Sequence, residues 1–255
     1  MDLLIKALDN FPEIWAGDSI SDIIFRVSQE NDWIWQNGDA VVIAQKIISK
    51  SENRYKNLTD IKPGKLALQY SETVDKDPRL IELILSESKK VLRTRNGLMI
   101  VQHKLGFVCA NAGIDHSNVI MKDGSNENWV LLLPEEPDKS ARLIQEELKK
   151  LTNVRLGILI IDSHGRAWRK GVVGTTIGIS QVPGVVDKRG DSDRYGYKLR
   201  ITEIGAADEL AAAASLMMGQ ADEGRPVVLA KGFPYHLRNS ETQELIRSES
   251  DDLFR

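Results

Sequence analysis

Leu156-Gly157-Ile158-Leu159-Ile160-Ile161-Asp162-Ser163-His164-Gly165-Arg166 is the stretch from which the fold is read. The apolar run from Leu156 to Ile161 has the length of a buried strand and ends at turn-forming residues. It delivers Asp162 into a polar cluster where the strand is expected to open into a loop. Just upstream, Pro137-Asp138 starts a helix with Ile144, Leu148 and Leu151 on one face. This alternation of helix and strand repeats along the chain and predicts a mixed α/β (α+β) fold.

Working outward, Asp2 to Leu8 reads as a first strand. Asp18 or Ser19 caps a helix carrying Ile20, Ile23, Ile24 and Val27 at helical spacing. Asn37-Gly38-Asp39 turns into a buried strand, Ala40 to Ala44, and Asp77-Pro78 opens a helix bearing Ile81, Ile84 and Leu85. Val91 to Cys109 is β-rich and broken at Asn96-Gly97 and Gly106, the pattern of hairpins. Further strands are expected at Val130 to Leu133, Leu199 to Ile204 and Pro226 to Ala230. Asp208 to Met218 reads as an Ala-rich helix ended by Gly219, and the charged stretch Ser240 to Arg255 as a surface helix.

A second polar cluster follows the hairpin region: Cys109-Ala110-Asn111-Ala112-Gly113-Ile114-Asp115-His116-Ser117-Asn118. Oxygen-rich clusters of this kind suit a hard cation such as Mg²⁺ or Mn²⁺, which prefers carboxylate, carbonyl and water ligands and often carries phosphates. Either cluster alone reads first as an Asx-type turn. The pair, with its supporting residues, reads as an active site.

Composition narrows the class. The chain has 255 residues, 42% hydrophobic and 28% charged, with a net charge of -3. That balance is ordinary for a globular protein and argues against an extended nucleic-acid surface. Cys109 is the only cysteine, so no intrachain disulfide or cysteine-based zinc cage forms. No apolar run approaches the roughly 20 residues of a membrane helix. No signal peptide is expected, and a cytoplasmic location follows.

Neither GxxxxGK[ST] nor GxGxxG is present. The glycines of Gly171-Val172-Val173-Gly174 and Gly178 serve either a phosphate or simply a tight backbone. Lysines beyond the Ala44 strand end, Lys46 and Lys50, are candidates for phosphate charge. A lone lysine is more often a solvated surface cation. Met218-Gly219-Gln220-Ala221-Asp222-Glu223-Gly224 offers open backbone and the Gln220 side-chain carbonyl. Arg166, Arg169 and Lys170 crowd positive charge behind Asp162, which fits anion binding or a solvated charge run.

These residues resemble the coenzyme F-420-0:L-glutamate ligases. The match rests on Asn111 to Asp115 with Ser117-Asn118, on Asp162-Ser163 with Gly165-Arg166 and Arg169, and on Gly171 to Gly174 with Ile177-Gly178. Gly38-Asp39, Ile48-Ser49-Lys50, Asp208-Glu209-Leu210-Ala211 and Met218-Gly219 follow in the expected order, from about Phe11 to Gly232. The resemblance implies one family-length ligase unit over residues 1–255, with two intertwined subdomains, mixed and antiparallel sheets, and a homodimer. No flavin-binding extension of the kind fused to the ligase in some bacteria is expected. The resemblance further implies a GTP-dependent ligase that adds L-glutamate to a deazaflavin coenzyme precursor through an acyl phosphate.

By position, Asp115, Asp162, Ser163 and Gln220 would hold divalent metal, two Mg²⁺ or Mn²⁺ ions, with K⁺ as a further candidate. Lys50, Asp115 and Asp162 would be catalytic. GTP would meet Gln45, Lys46, Lys50 and Asn118, the stretch Met218, Gly219, Gln220, Ala221, Asp222, Glu223, Gly224 and Arg225, and the Phe11-Pro12-Glu13-Ile14 segment. Ser163, His164 and Gln220 stand where other members often carry Thr, Asn and Glu. The rival readings are a paralogue acting on another carboxylate and a nucleotide- or metal-binding protein without catalysis. Retention of both aspartates favours an enzyme.

Overall fold

The computed structural model describes residues 2–253. The chain begins with β1 (Leu4–Ala7), α1 (Ile20–Glu30), β2 (Ala40–Ala44), α2 (Gln45–Ser51) and β3 (Tyr55–Asn57). Next come α3 (Lys65–Val74), α4 (Pro78–Ser86), β4 (Ser88–Arg95), β5 (Leu98–His103), β6 (Val108–Ala110) and β7 (Trp129–Leu131). The remainder is α5 (Pro137–Thr152), β8 (Gly157–Arg166), β9 (Arg169–Ser180), β10 (Val186–Asp187), β11 (Glu203–Ile204), α6 (Ala206–Met218) and β12 (Val227–Lys231).

The main sheet has the order β1-β12-β2-β8-β9, with β2 and β8 parallel and the other pairs antiparallel. Strands β12, β2 and the first half of β8 are buried on both faces, and the period of two assigns each residue to a side. Val41, Ile43, Ile158, Ile160 and Leu229 pack with Ile24, Ile144 and Leu148 from α1 and α5. Val42, Leu159, Ile161 and Val228 pack on the opposite face with Leu210, Ala211 and Ala214 from α6. Small side chains on α6 let it lie close to the sheet.

Between α2 and α5 the chain builds a separate cluster. The antiparallel β4-β5-β6 sheet and helices α3 and α4 enclose Met99, Val101, Ile81 and Ile84, while β3 and β7 pair beside it. The mixed α/β class predicted from the pattern holds. Ser19 caps α1, accepting from the Asp22 amide at 3.4 Å, and Asp77 caps α4, accepting from the Arg79 amide at 2.8 Å.

The β8-β9 hairpin departs most from expectation. Asp162 does not emerge into a loop; β8 continues through it to Arg166, paired with β9 as far as Arg169. The glycine-rich stretch after it is strand, not a phosphate loop. A Cβ on Gly174 would stand 2.6 Å from the Ala211 carbonyl oxygen and 2.7 Å from Ser215 Cβ, and one on Gly178 would stand 2.7 Å from the Pro137 carbonyl oxygen. These glycines let α6 and α5 approach the sheet. Because β9 is an edge strand, its outward amides need partners. Asp208 and Asp138, in the first turns of α6 and α5, accept from Thr176 N at 2.9 Å and Ile179 N at 2.7 Å.

Two other expectations fail. Of Leu199 to Ile204 only Glu203–Ile204 is strand, because the preceding residues form turns tied by Asp191 and Asp193. Of Ser240 to Arg255, the described part contains only a 3₁₀ turn, Thr242–Leu245, held by Asp138 through Thr242; Phe254 and Arg255 lie outside the described residues.

Candidate active site

Asp115 reaches its place through a strained turn. Asn111, Ala112 and Gly113 all adopt left-handed backbone, with φ of 48°, 54° and 65°. Ala112 does so while buried, a conformation that a non-glycine residue keeps only when its surroundings enforce it. Here the enforcement is visible. Asn111 Oδ1 accepts from Met99 N at 3.1 Å, and Gly113 lies so close to Leu133 that a Cβ would be 2.7 Å from its Cδ1. Asp115 itself exchanges two backbone hydrogen bonds of 2.9 Å with Leu131 at the end of β7.

Its carboxylate meets α2. Gln45 Nε2 donates to Asp115 Oδ2 at 2.7 Å, and Lys46 Nζ lies 3.5 Å from the same oxygen. Ser117 steadies Lys46, accepting through its carbonyl and hydroxyl oxygens at 3.2 Å each. Burial raises the Asp115 carboxyl above the usual carboxylate range. Lys46 and the Gln45 amide pull it back, and the negative charge of Asp162 adds to the rise. The two carboxylates are thus within electrostatic reach across one cavity of about 380 Å³.

Asp162 and Ser163 line that cavity from β8, and Ser163 Oγ donates to Gln220 Oε1 at 2.8 Å. His164 Nε2 sits 3.1 Å from Asp162 Oδ2 but out of hydrogen-bond alignment, so this buried nitrogen has no hydrogen-bond partner among the described residues. Beyond it, Phe107 packs against both His164 and His103. Burial drives the His103 imidazole down to about 4, so it is neutral.

After α6, Gly219 turns the chain with φ 77° into a loop whose amides point at Glu223. Hydrogen bonds from the amides of Ala221, Glu223 and Gln220 hold that carboxyl below its usual range. The loop's amides thus hold a carboxylate, that of Glu223.

Every residue assigned to GTP, metal or catalysis lines this one cavity except Asp222: Phe11 to Ile14, Gln45, Lys46, Lys50, Asp115, Asn118, Asp162, Ser163 and the rest of 218–225; of the basic run behind Asp162, Arg166 and Arg169 line a second cavity instead. Lys50 differs from a solvated surface cation. It is 5% exposed and ion-paired with Glu13. Ser117 and His164 stand in the two polar clusters read from the sequence but carried no role there; their partners come from the fold.

No group of three His, Cys, Asp or Glu side chains among the described residues forms a ready-made metal cage. The donor set still fits a hard cation. Asp115 and Asp162 supply two carboxylates, Ser163 a hydroxyl and Gln220 a carbonyl oxygen, and Mg²⁺ typically takes one or two carboxylates and completes its shell with water and phosphate. Two like charges near each other, one of them desolvated, also need a cation to offset them.

A family model described as F420-0:Gamma-glutamyl ligase matches residues 9–232. The chain belongs to this family of ligases. The protein of Methanothermobacter thermautotrophicus named Coenzyme F420:L-glutamate ligase is 40% identical over 257 residues, covering 100% of both chains. The proteins of the same name from Methanopyrus kandleri and Methanosarcina mazei are 40% and 38% identical, covering 95% and 98% of this chain and 94% of each relative. The span of the match contains both aspartate clusters and the loop after α6. No helix among the described residues is long and apolar enough to cross a membrane.

The Glu13–Lys50 pair separates two roles of that lysine. Lys50→Ala should lower stability by about 1–2 kcal/mol, less than the 3–5 kcal/mol of a fully buried pair, because Glu13 is half-exposed and regains water. Lys50→Met keeps the buried stem and should recover most of that loss in a thermal melt. Both should weaken nucleotide binding alike, which calorimetry would check.

Proposed function

We propose that this protein joins L-glutamate to the terminal carboxylate of the deazaflavin precursor F420-0, driven by GTP. The observation that carries the reading is the convergence of Asp115 and Asp162 with Lys46, Lys50 and the loop after α6 on one cavity. In this reading the γ-phosphoryl group passes from GTP to the acceptor carboxylate, releasing GDP and forming an acyl phosphate. The glutamate amine then attacks the acyl carbon, inorganic phosphate leaves, an amide forms and a proton is lost.

The chain's own residues supply positioning and charge, which dominate phosphoryl transfer. Lys46, tethered to Ser117 and Asp115, and Lys50, held by Glu13, present ammonium groups to phosphate oxygens. The amides at 220–223 offer a phosphate nest once the Glu223 carboxylate swings away. Asp115, Asp162, Ser163 and Gln220 would hold two divalent ions, which when bound offset the phosphate charge. A cytoplasmic homodimer, taken from the family resemblance, belongs to the same proposal, as does the absence of nucleic-acid and membrane partners.

Mass spectrometry of the deazaflavin after incubation with protein, GTP, glutamate and Mg²⁺ tests the reading. A product heavier by one glutamyl residue, formed with GTP and not without it, is expected. Unchanged deazaflavin would sink it. With no glycine-rich phosphate loop, GTP affinity should also fall by at least tenfold in EDTA, measured by titration calorimetry. Equal affinity with and without metal would remove the cation from the account.

A further inference from the structure

A second cavity, of about 900 Å³, opens between the β4-β5-β6 sheet and the tip of the β8-β9 hairpin. Its floor is apolar, with Leu98, Ile100, Phe107 and Cys109, and its rim carries Arg93, Arg95, Arg166 and Arg169, with Arg247 and one carboxylate, Asp252, also on the lining. Its volume lies in the range that encloses a drug-sized ligand.

The rim is unusual for a chain of net charge -3. No ion pair among the described residues engages Arg93, Arg95, Arg166 or Arg169. Arg166 and Arg169 are direct cross-strand partners, and like charges placed opposite one another destabilise a hairpin. An anion between them would reverse the sign of that interaction, and the planar guanidinium is suited to gripping a phosphate with two parallel hydrogen bonds.

The cavity also connects to the first through one strand. Asp162 and Ser163 line the smaller cavity, whereas Gly165 and Arg166 line the larger. Three residues of β-strand separate Ser163 from Arg166, roughly 10 Å. Cys109, on the floor of the larger cavity, feels the charge of Asp162, which adds to the effect of burial in pushing its thiol up to about 12. One elongated molecule can therefore lie along β8 with an aromatic end over the apolar floor, a phosphate at the arginines and a carboxylate end at the aspartates.

We infer that this arginine-rimmed cavity binds the acceptor, with Arg166 and Arg169 gripping an anionic, phosphate-type group on it and the floor around Phe107 and Ile100 receiving its ring. The inference rests on the proposed ligase function. It assigns to Arg166 and Arg169 the selection of acceptor rather than of nucleotide.

The test uses the full-length protein and its Arg166→Gln/Arg169→Gln and Arg93→Gln/Arg95→Gln double variants. Equilibrium dialysis measures binding of the deazaflavin precursor, calorimetry measures GTP with Mg²⁺, and turnover gives the KM of each. Acceptor Kd and KM should rise at least tenfold in Arg166→Gln/Arg169→Gln, as befits lost charged hydrogen bonds, with GTP affinity unchanged. Arg166→Lys should lie between, keeping charge without the planar grip. Thermal melts should match wild type, since these side chains are exposed.

Acceptor affinity unchanged in both double variants would overturn the inference while leaving the ligase reading intact. GTP affinity falling by the same factor as acceptor affinity would also overturn it, making the rim a nucleotide subsite. So would loss of dimer in size-exclusion chromatography with acceptor affinity unchanged, which would make the rim a contact between copies. A wild-type protein that neither binds nor glutamylates the deazaflavin would overturn the ligase reading itself, and the inference with it.

Discussion

Asp115→Asn and Asp162→Asn should each lower ligation by at least about 10²-fold while leaving the fold intact. The carboxylates converge on one cavity, and asparagine keeps their shape while removing the charge that attracts a cation. For Asp115 the effect on stability has a definite sign. Its carboxyl is raised in the folded protein, mainly by desolvation, so ionisation opposes folding. The metal-free protein is stabilised where Asp115 is protonated, below its unfolded value. It loses that stability as pH rises through the elevated folded value. Asp115→Asn abolishes this dependence. It also loses the pairing with Lys46, but that pair is partly exposed and worth only ~0–1 kcal/mol. The melting temperature at neutral pH without metal should therefore stay the same or rise. A variant that unfolds, or one that stays fully active, would show that Asp115 is a turn former and not part of the chemistry.

Gly174→Val should be the most destabilising single change in the sheet. The new side chain would collide with the Ala211 carbonyl oxygen and Ser215, and because one of these is backbone the strain must move α6 as a whole. Overpacking of this kind costs about 3 kcal/mol, or roughly 6–12 °C in Tm for a chain of this size. Displacing α6 also moves Met218 and Gly219, which line the cavity, so activity should fall with stability. Gly165→Ala is the matched control: nothing lies within 4 Å of its Cβ position, and its melt should barely change. If Gly174→Val melts like wild type and loses only nucleotide affinity, the glycine belongs to a phosphate site after all.

That contrast marks where the sequence was legible. β2 and the start of β8 were plain, because continuous apolar runs bounded by turns have few other readings, and α1, α4 and α6 carried caps or stop signals. The second half of β8 and all of β9 were hidden. Asp162, Ser163 and Gly165 are turn formers by composition, and Gly171, Gly174 and Gly178 depress strand propensity. The approach of α6 and α5, which are distant in sequence, explains Gly174 and Gly178, whereas Gly171 sits in open space with a left-handed φ of 82°. Helix α2 was missed because seven residues are too few to show a period. That these residues share one cavity was anticipated chiefly by the family resemblance; residue types alone pointed only to the two aspartate clusters and, more weakly, to Lys46, Lys50 and Gln220. The internal geometry of the site was not legible. The burial of Lys50 against Glu13, the tether of Lys46 to Ser117 and the proximity of His164 to Asp162 all depend on tertiary contacts between segments with no shared local pattern.

The central claim is that GTP activates the acceptor carboxylate in the Asp115–Asp162 cavity. It is tested most directly by turnover with an acceptor whose terminal carboxylate carries heavy oxygen. Transfer of the γ-phosphoryl group to that carboxylate predicts one heavy oxygen in the inorganic phosphate released, together with a deazaflavin one glutamyl residue heavier. Glutamylated product accompanied by phosphate free of the label, or no glutamylated product at all, would contradict it.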